Sequence, residues 1–144
     1  MNQEKITGKT KKKDKQIKII THIIFVGGNN MSYNFFVIGG DKRIVYLAEM
    51  LSEEKNTVKM LGFEQIFQQN KIFENKYLKQ AYSLNEIKDE DIIISSIPLS
   101  IDGINIYTPF SSEKIKLETL KGKKIIAGKI PEELFSDGCI DVLK

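Results

Sequence analysis

Tryptophan is absent from this chain, histidine and cysteine occur once each, and three prolines are spread over 144 residues. A lone Cys139 excludes a disulfide framework and a cysteine-built zinc site. With His22 as the single histidine, a histidine-dependent catalytic triad and a multi-histidine metal centre are excluded too. No apolar run reaches the roughly 20 residues of a membrane-spanning helix. The longest candidate, residues 17–26, is broken by Lys18, Thr21 and His22, and no small-x-small cleavage site follows it. There is no internal repeat and no G-x-G-x-x-G.

What is present is the composition of an ordinary globular protein, 41% hydrophobic and 28% charged, of a length that suits one domain. Its charge is unevenly placed. Residues 1–30 hold seven lysines against Glu4 and Asp14, or +5, while the remaining 15 basic and 17 acidic residues leave the body at −2. The basic leader has several readings: an arm for nucleic acid or a membrane surface, a signal-peptide core, or a tail with an extra strand. A further reading makes it untranslated. Gly27-Gly28-Asn29-Asn30 before Met31 can be encoded by a purine-rich ribosome-binding sequence at normal spacing from a start codon. We expect residues 1–30 to be a doubtful leader, translation to start at Met31, and residues 31–144 to be the domain proper. The slightly acidic body gives no support for nucleic acid as a partner.

The body alternates strands and helices. Phe35-Phe36-Val37-Ile38 ending in Gly39-Gly40 reads as a buried strand running into a tight turn. Ile44, Leu47, Ala48 and Leu51 then recur at helical spacing, which predicts a helix over residues 42–54 with Asp41 as its cap. Residues 57–61 are a second strand, and the βαβ unit so formed makes the two strands parallel. Further expectations are a short helix or irregular chain after Glu64, a short strand near residues 80–82 and a helical turn at 84–88. Strands are expected at 91–95 and 124–128, short helices at 115–120 and 131–135, and a last strand from Asp141. The fold class that follows is α/β: a single open, mostly parallel sheet with helices on both faces, flavodoxin-like.

Three places are candidates for chemistry. The turn at Gly39-Gly40-Asp41 fails as a dinucleotide fingerprint, because the second and third glycine positions are Asp41 and Ile44, and Asp41 sets a negative charge where a phosphate would sit. It reads either as a capped glycine turn or as part of a small-molecule site in which Arg43 meets a carboxylate. Glu64, past the second strand, stands where a nucleotide-binding βαβ unit holds a ribose, but without the glycines it reads as a solvated loop acid. The long connection at residues 96–113 leaves the carboxyl end of the strongest strand, where open sheets bind ligands, and its serines suit a carboxylate. Against that stands a turn-rich connection in which Ser111 or Ser112 caps a helix before Glu113. Cys139 is expected to be a small buried or half-buried apolar residue.

The turn I-G-G-D-x-R at residues 38–43, the segment Ile94-Ser95-Ser96-Ile97-Pro98-Leu99-Ser100 with Asp102-Gly103, and Pro109-Phe110-Ser111-Ser112-Glu113 together resemble the family of the dipicolinate synthase A-subunit. So do Leu117-x-x-Leu120 and residues 124–128. The resemblance implies an N-terminal flavodoxin-like domain of a two-domain, 2-hydroxyacid dehydrogenase-like protein. It implies that the protein works with the synthase B-subunit to convert 4-hydroxy-tetrahydrodipicolinate, a small dicarboxylate, to dipicolinate in the cytoplasm of a sporulating mother cell. The family's NAD(P) is expected in a Rossmann domain that residues 1–144 do not include, and no cofactor is expected in this chain. The expected partners are the dipicolinate synthase B-subunit and, if the gene is split, a separate Rossmann-domain chain, with no membrane. The implied substrate-facing residues are Gly39, Gly40, Asp41, Arg43, Ser96, Pro98 and Ser100. The alternative is a stand-alone binding or interaction module, or a truncated gene product, without catalysis.

Overall fold

The structure, a computed structural model, describes residues 32–70, 72 and 74–144. The expectations for the leader and for a start at Met31 fall outside them. Six strands form one sheet: β1 (Asn34–Ile38), β2 (Thr57–Leu61), β3 (Leu78–Gln80), β4 (Ile92–Ser95), β5 (Ile125–Ala127) and β6 (Ile140–Asp141). Their spatial order is β3-β2-β1-β4-β5-β6, and every pairing is parallel. This is a doubly wound α/β sheet whose direction of winding reverses between β1 and β4.

The βαβ unit forms as its periodicity predicts. Helix α1 (Lys42–Glu53) buries Ile44, Val45, Leu47, Ala48 and Leu51. It begins at Asp41, whose carboxylate accepts the Arg43 N–H at 3.0 Å. Past its end, the buried Asn56 donates to Leu51 O (3.0 Å) and accepts from Tyr33 N (2.9 Å). That staple joins the end of α1 to the approach of β1, and nothing in the hydrophobic pattern announces it. Helix α2 is short (Glu64–Gln68) and buries Ile66.

Alternation along the strands gives the sheet two faces. α1 packs on β2 and β3, and none of its buried residues belongs to the cluster on the other face. That other face carries Phe36, Ile38, Leu61, Ile93, Ile125 and Ala127 from the strands. It is covered by Leu99, Ile106, Leu117, Leu120, Ile130 and Leu134 from the connections. The short helices expected there are 3₁₀ turns at Leu117–Leu120 and Glu132–Leu134. Each is preceded by a residue in extended conformation, Lys116 or Pro131, and three or four residues suffice only for 3₁₀ turns. A third such turn, Leu84–Glu86, has a capping box in which Ser83 and Glu86 bond each other's backbone N–H groups. β3 lies two residues earlier than expected, because Leu78 and Gln80 pair with Val58 and Met60. Cys139 is half-buried against the same cluster, as expected.

Candidate functional site

β1 and β4 are neighbours with Ile38 opposite Ser95, so the residues that follow them meet at the point where the winding reverses. The Ser95 hydroxyl donates to Ile38 O (2.6 Å) and fastens the two strand ends together. Beyond it the Gly39-Gly40-Asp41-Arg43 turn and the 96–100 segment lie side by side. Arg43 joins them: its Nη2 donates to Ile97 O at 2.6 Å, while Nε and Nη2 contact the Asp41 carboxylate at 3.0–3.2 Å. Four of that guanidinium's contacts are thus already made within the fold. Nη1 has no partner among the described residues, and the side chain is one-third exposed.

The other expected residues divide clearly. Gly39 and Gly40 have φ of +67° and +127°, a region that glycine enters freely. Ser96 is fully buried, and its hydroxyl donates to Pro98 O and Leu99 O (both 2.9 Å), so it faces the loop interior rather than a ligand. Pro98 follows a cis peptide bond. The Ser100 hydroxyl donates to Asn105 O and accepts from Gly103 N (2.9 Å), which makes it part of a turn. In the same turn the Asp102 carboxylate accepts from Ile104 N and Asn105 N, both at 2.8 Å. The Asn105 N–H, then that of Ile104, hold the Asp102 carboxyl well below the usual carboxylate range.

Residues 105–116 form an arm: the sequence reads 96–113 as a loop and 115–120 as a short helix, but Ile115 and Lys116 pair back with Ile106 and Asn105 and the 3₁₀ turn starts only at Leu117. Asn105 bridges Lys116 in antiparallel fashion, and Ile106 N donates to Ile115 O (2.8 Å). The arm lies across the carboxyl ends of β1 and β2. Gly40 N donates to Tyr107 O (3.0 Å), Gln65 N donates to Phe110 O (3.0 Å), and the Ser111 hydroxyl donates to Glu64. Ser111 also accepts from Glu113 N (3.0 Å), but no helix follows, so the expected cap closes a turn instead. Glu64, expected as a free loop acid, is the arm's anchor.

This arrangement does not fit a dinucleotide. At the N-terminus of α1 the Asp41 carboxylate already accepts the Arg43 N–H, and Tyr107 O occupies the Gly40 N–H that would approach a pyrophosphate. Among the described residues no group of three or more His, Cys, Asp or Glu is placed to hold a metal ion. Among them, too, no helix is long and apolar enough to cross a membrane.

Comparison with known proteins gives a consistent picture. A family model described as the N-terminal domain of the dipicolinate synthase A-subunit matches residues 34–136. The chain is similar in structure to the A-chain of dipicolinate synthase from Bacillus subtilis (TM-score 0.56, 20% identity), covering 71% of this chain and 35% of that one. It is equally similar to the dipicolinate synthase A-subunit from Bacillus halodurans (TM-score 0.56, 20% identity), covering 74% of this chain and 37% of that one. The chain thus spans a little over a third of the length of these solved relatives, and at this identity the likeness speaks for the fold. Comparison with curated proteins gives no match. The family model covers well over half of the chain, and the protein belongs to the family of the N-terminal domain of the dipicolinate synthase A-subunit.

Proposed function

We propose that this domain serves as the N-terminal domain of a dipicolinate synthase A-subunit. It holds a small cyclic dicarboxylate, 4-hydroxy-tetrahydrodipicolinate, for conversion to dipicolinate during sporulation. The observation that carries the reading is the meeting of the Gly39–Arg43 turn and the 96–100 segment where the winding reverses, within a domain whose family is that of the synthase. Ligands bind at such points in open α/β sheets. The wall so formed is proposed to face a second domain that carries NAD(P). The redox step falls to that domain, and no residue of this chain is assigned to it. On this reading Arg43 acts chiefly by holding Ile97, and only its Nη1 is free for a substrate carboxylate.

The reading is tested by reconstitution. The chain is mixed with the synthase B-subunit, a separate Rossmann-domain chain, NADP and substrate, and dipicolinate is followed by absorbance. Product above that of the same mixture without this chain is expected; equal product refutes the proposal. A second reading, an interaction module without catalysis, is favoured by the internal engagement of Arg43 and Ser96. It predicts binding to the partner chain with no gain in product.

A further inference from the structure

Residues 100–105 form a turn that is stiff and yet carries apolar side chains into solvent. The Asp102 carboxylate accepts from Ile104 N and Asn105 N, both at 2.8 Å, and from Asn105 Nδ2 at 2.9 Å. Leu117 N donates to Ile104 O (2.9 Å) and Asn105 bridges Lys116, so the turn is fastened to the end of the arm as well. Ile104 is nevertheless 62% exposed and Ile101 70%. Single exposed apolar residues are ordinary on a protein surface. Here, however, Ile104 stands on the rim of a hollow of about 420 Å³. The floor of that hollow is apolar, made by Leu117 and Leu134 of the 3₁₀ turns Leu117–Leu120 and Glu132–Leu134. A knob and a hollow therefore lie side by side on one face. Neither the 39–43 turn nor the 96–100 segment lines it.

The rim is charged, evenly in sign. Lys116 and Lys121 stand against Glu118 and Glu133, all four exposed. None of the four has an ion-pair partner among the described residues. A partner surface of one sign would be repelled by half of this rim, and an uncharged one would cover its charges unanswered. What answers all of it is a surface that carries both signs in equal number, with an apolar knob beside an apolar hollow. This face is its own complement in those respects. A two-fold interface requires such a match, because residue i meets j and j meets i.

We propose that this face pairs with a second copy of the chain about a two-fold axis. Ile104 of each copy lies over Leu117 and Leu134 of the other, and Lys116 and Lys121 of each face Glu118 and Glu133 of the other. The face is small beside the roughly 20–30 residues a side of a standard interface. The dimer is accordingly weak, half-dissociated at about 100 µM, and falls apart on dilution. Salt weakens it further, because its ion pairs lie at an exposed rim.

The 144-residue chain is followed by sedimentation velocity from about 10 µM to about 1 mM, and amide chemical shifts are mapped over the same dilution. Dimer is expected at the upper end, with shifts clustered at residues 103–105, 116–121 and 133–134. Two charge-reversed variants are decisive. Lys116→Glu with Lys121→Glu makes the rim wholly acidic, and Glu118→Lys with Glu133→Lys makes it wholly basic. Each alone is expected to self-associate at least about tenfold more weakly than the parent chain. Equal parts of the two are expected to form a mixed dimer at least about tenfold tighter than either variant makes alone. Ile104→Ser weakens the parent dimer about fivefold. All of these side chains are exposed, and peak dispersion reports that each variant is folded. A monomer at every concentration, a variant that dimerises as the parent does, a mixture no tighter than its components, or dilution shifts centred elsewhere each overturn the proposal. So does a monomer whose shifts at this face arise only when the synthase B-subunit is added, which assigns the face to that chain.

Discussion

Two connections leave the middle of the sheet, and they are built on opposite principles. From β1 to α1 the chain uses three residues, two of them glycine, and nearly every polar group there is already engaged, by Asp41 and Arg43 within the turn or by Leu61, Ile97 and Tyr107 beside it. From β4 to β5 it uses 29 residues, doubles back through the arm, and leaves Lys114, Lys116 and Glu113 without partners among the described residues. A short connection at a point of winding reversal looks like the functional element because its sequence is unusual. The long one keeps the unengaged charges. The difference shows that a short turn can be held by its neighbours on every side, whereas a long connection presents polar groups that the fold leaves unsatisfied.

The sharpest way to break this contrast is to relax the short turn. A Cβ at Gly39 would lie 2.7 Å from Tyr107 O, and one at Gly40 would lie 2.4 Å from Ile44 Cγ1, both at positive φ. Gly40→Ala is expected to cost about 3 kcal/mol, as strain and overpacking combined, measured by chemical denaturation. Next in size, Leu99→Ala removes a fully buried side chain from the long connection and is expected to cost about 2–3 kcal/mol by the same measurement. Leu99 N is bonded to Gly128 O and Leu99 O to Tyr107 N, so the arm's amides should lose exchange protection more than those of α1.

Arg43→Ala separates a clamp from a ligand contact. Losing the bonds to Ile97 O and Asp41, at a side chain one-third exposed, is expected to cost about 1 kcal/mol. If Arg43 acts mainly as a clamp, Arg43→Lys restores part of that stability. A smaller effect is expected of Asp102. Its folded-state pKa is depressed, so its contribution is fully present above the ordinary carboxylate range and is lost as pH falls through the lowered value. By carboxyl NMR it should be among the last carboxylates to protonate, and Asp102→Asn should abolish that part of the acid dependence. Smallest of all, Lys114→Ala with Lys116→Ala should leave stability within about 0.5 kcal/mol, because neither ammonium has an ion-pair partner among the described residues. A large stability loss there would mean that the arm's charges are structural after all.

Much of the architecture was legible because it is periodic. Ile44, Leu47, Ala48 and Leu51 announce α1, and the apolar runs before Gly39 and Ser96 announce β1 and β4. What stayed illegible depends on partners far apart in the chain. Ser96 reads as an available hydroxyl until its bonds to Pro98 O and Leu99 O are seen. Glu64 and Ser111 are 47 residues apart, and no local pattern pairs them. The 3₁₀ turns that cover the second face lack the length to produce a helical period. On the arm, Lys114 and Lys116 flank an apolar Ile115 with period two, a pattern the sequence could have hinted at, since it sets the two lysines on one side of an extended segment.

The bond from Gly40 to Tyr107 and the contact of Gly39 with the same carbonyl carry a consequence for redesign. A positive φ at position 39 is a demand that asparagine can also meet, but the carbonyl 2.7 Å from its Cβ position is not. The exclusion of asparagine from that site is therefore imposed by the arm, while other side chains are opposed by the turn's φ as well. A variant engineered with a shortened arm should accept asparagine at position 39, which this protein rejects, so the two segments must be redesigned together.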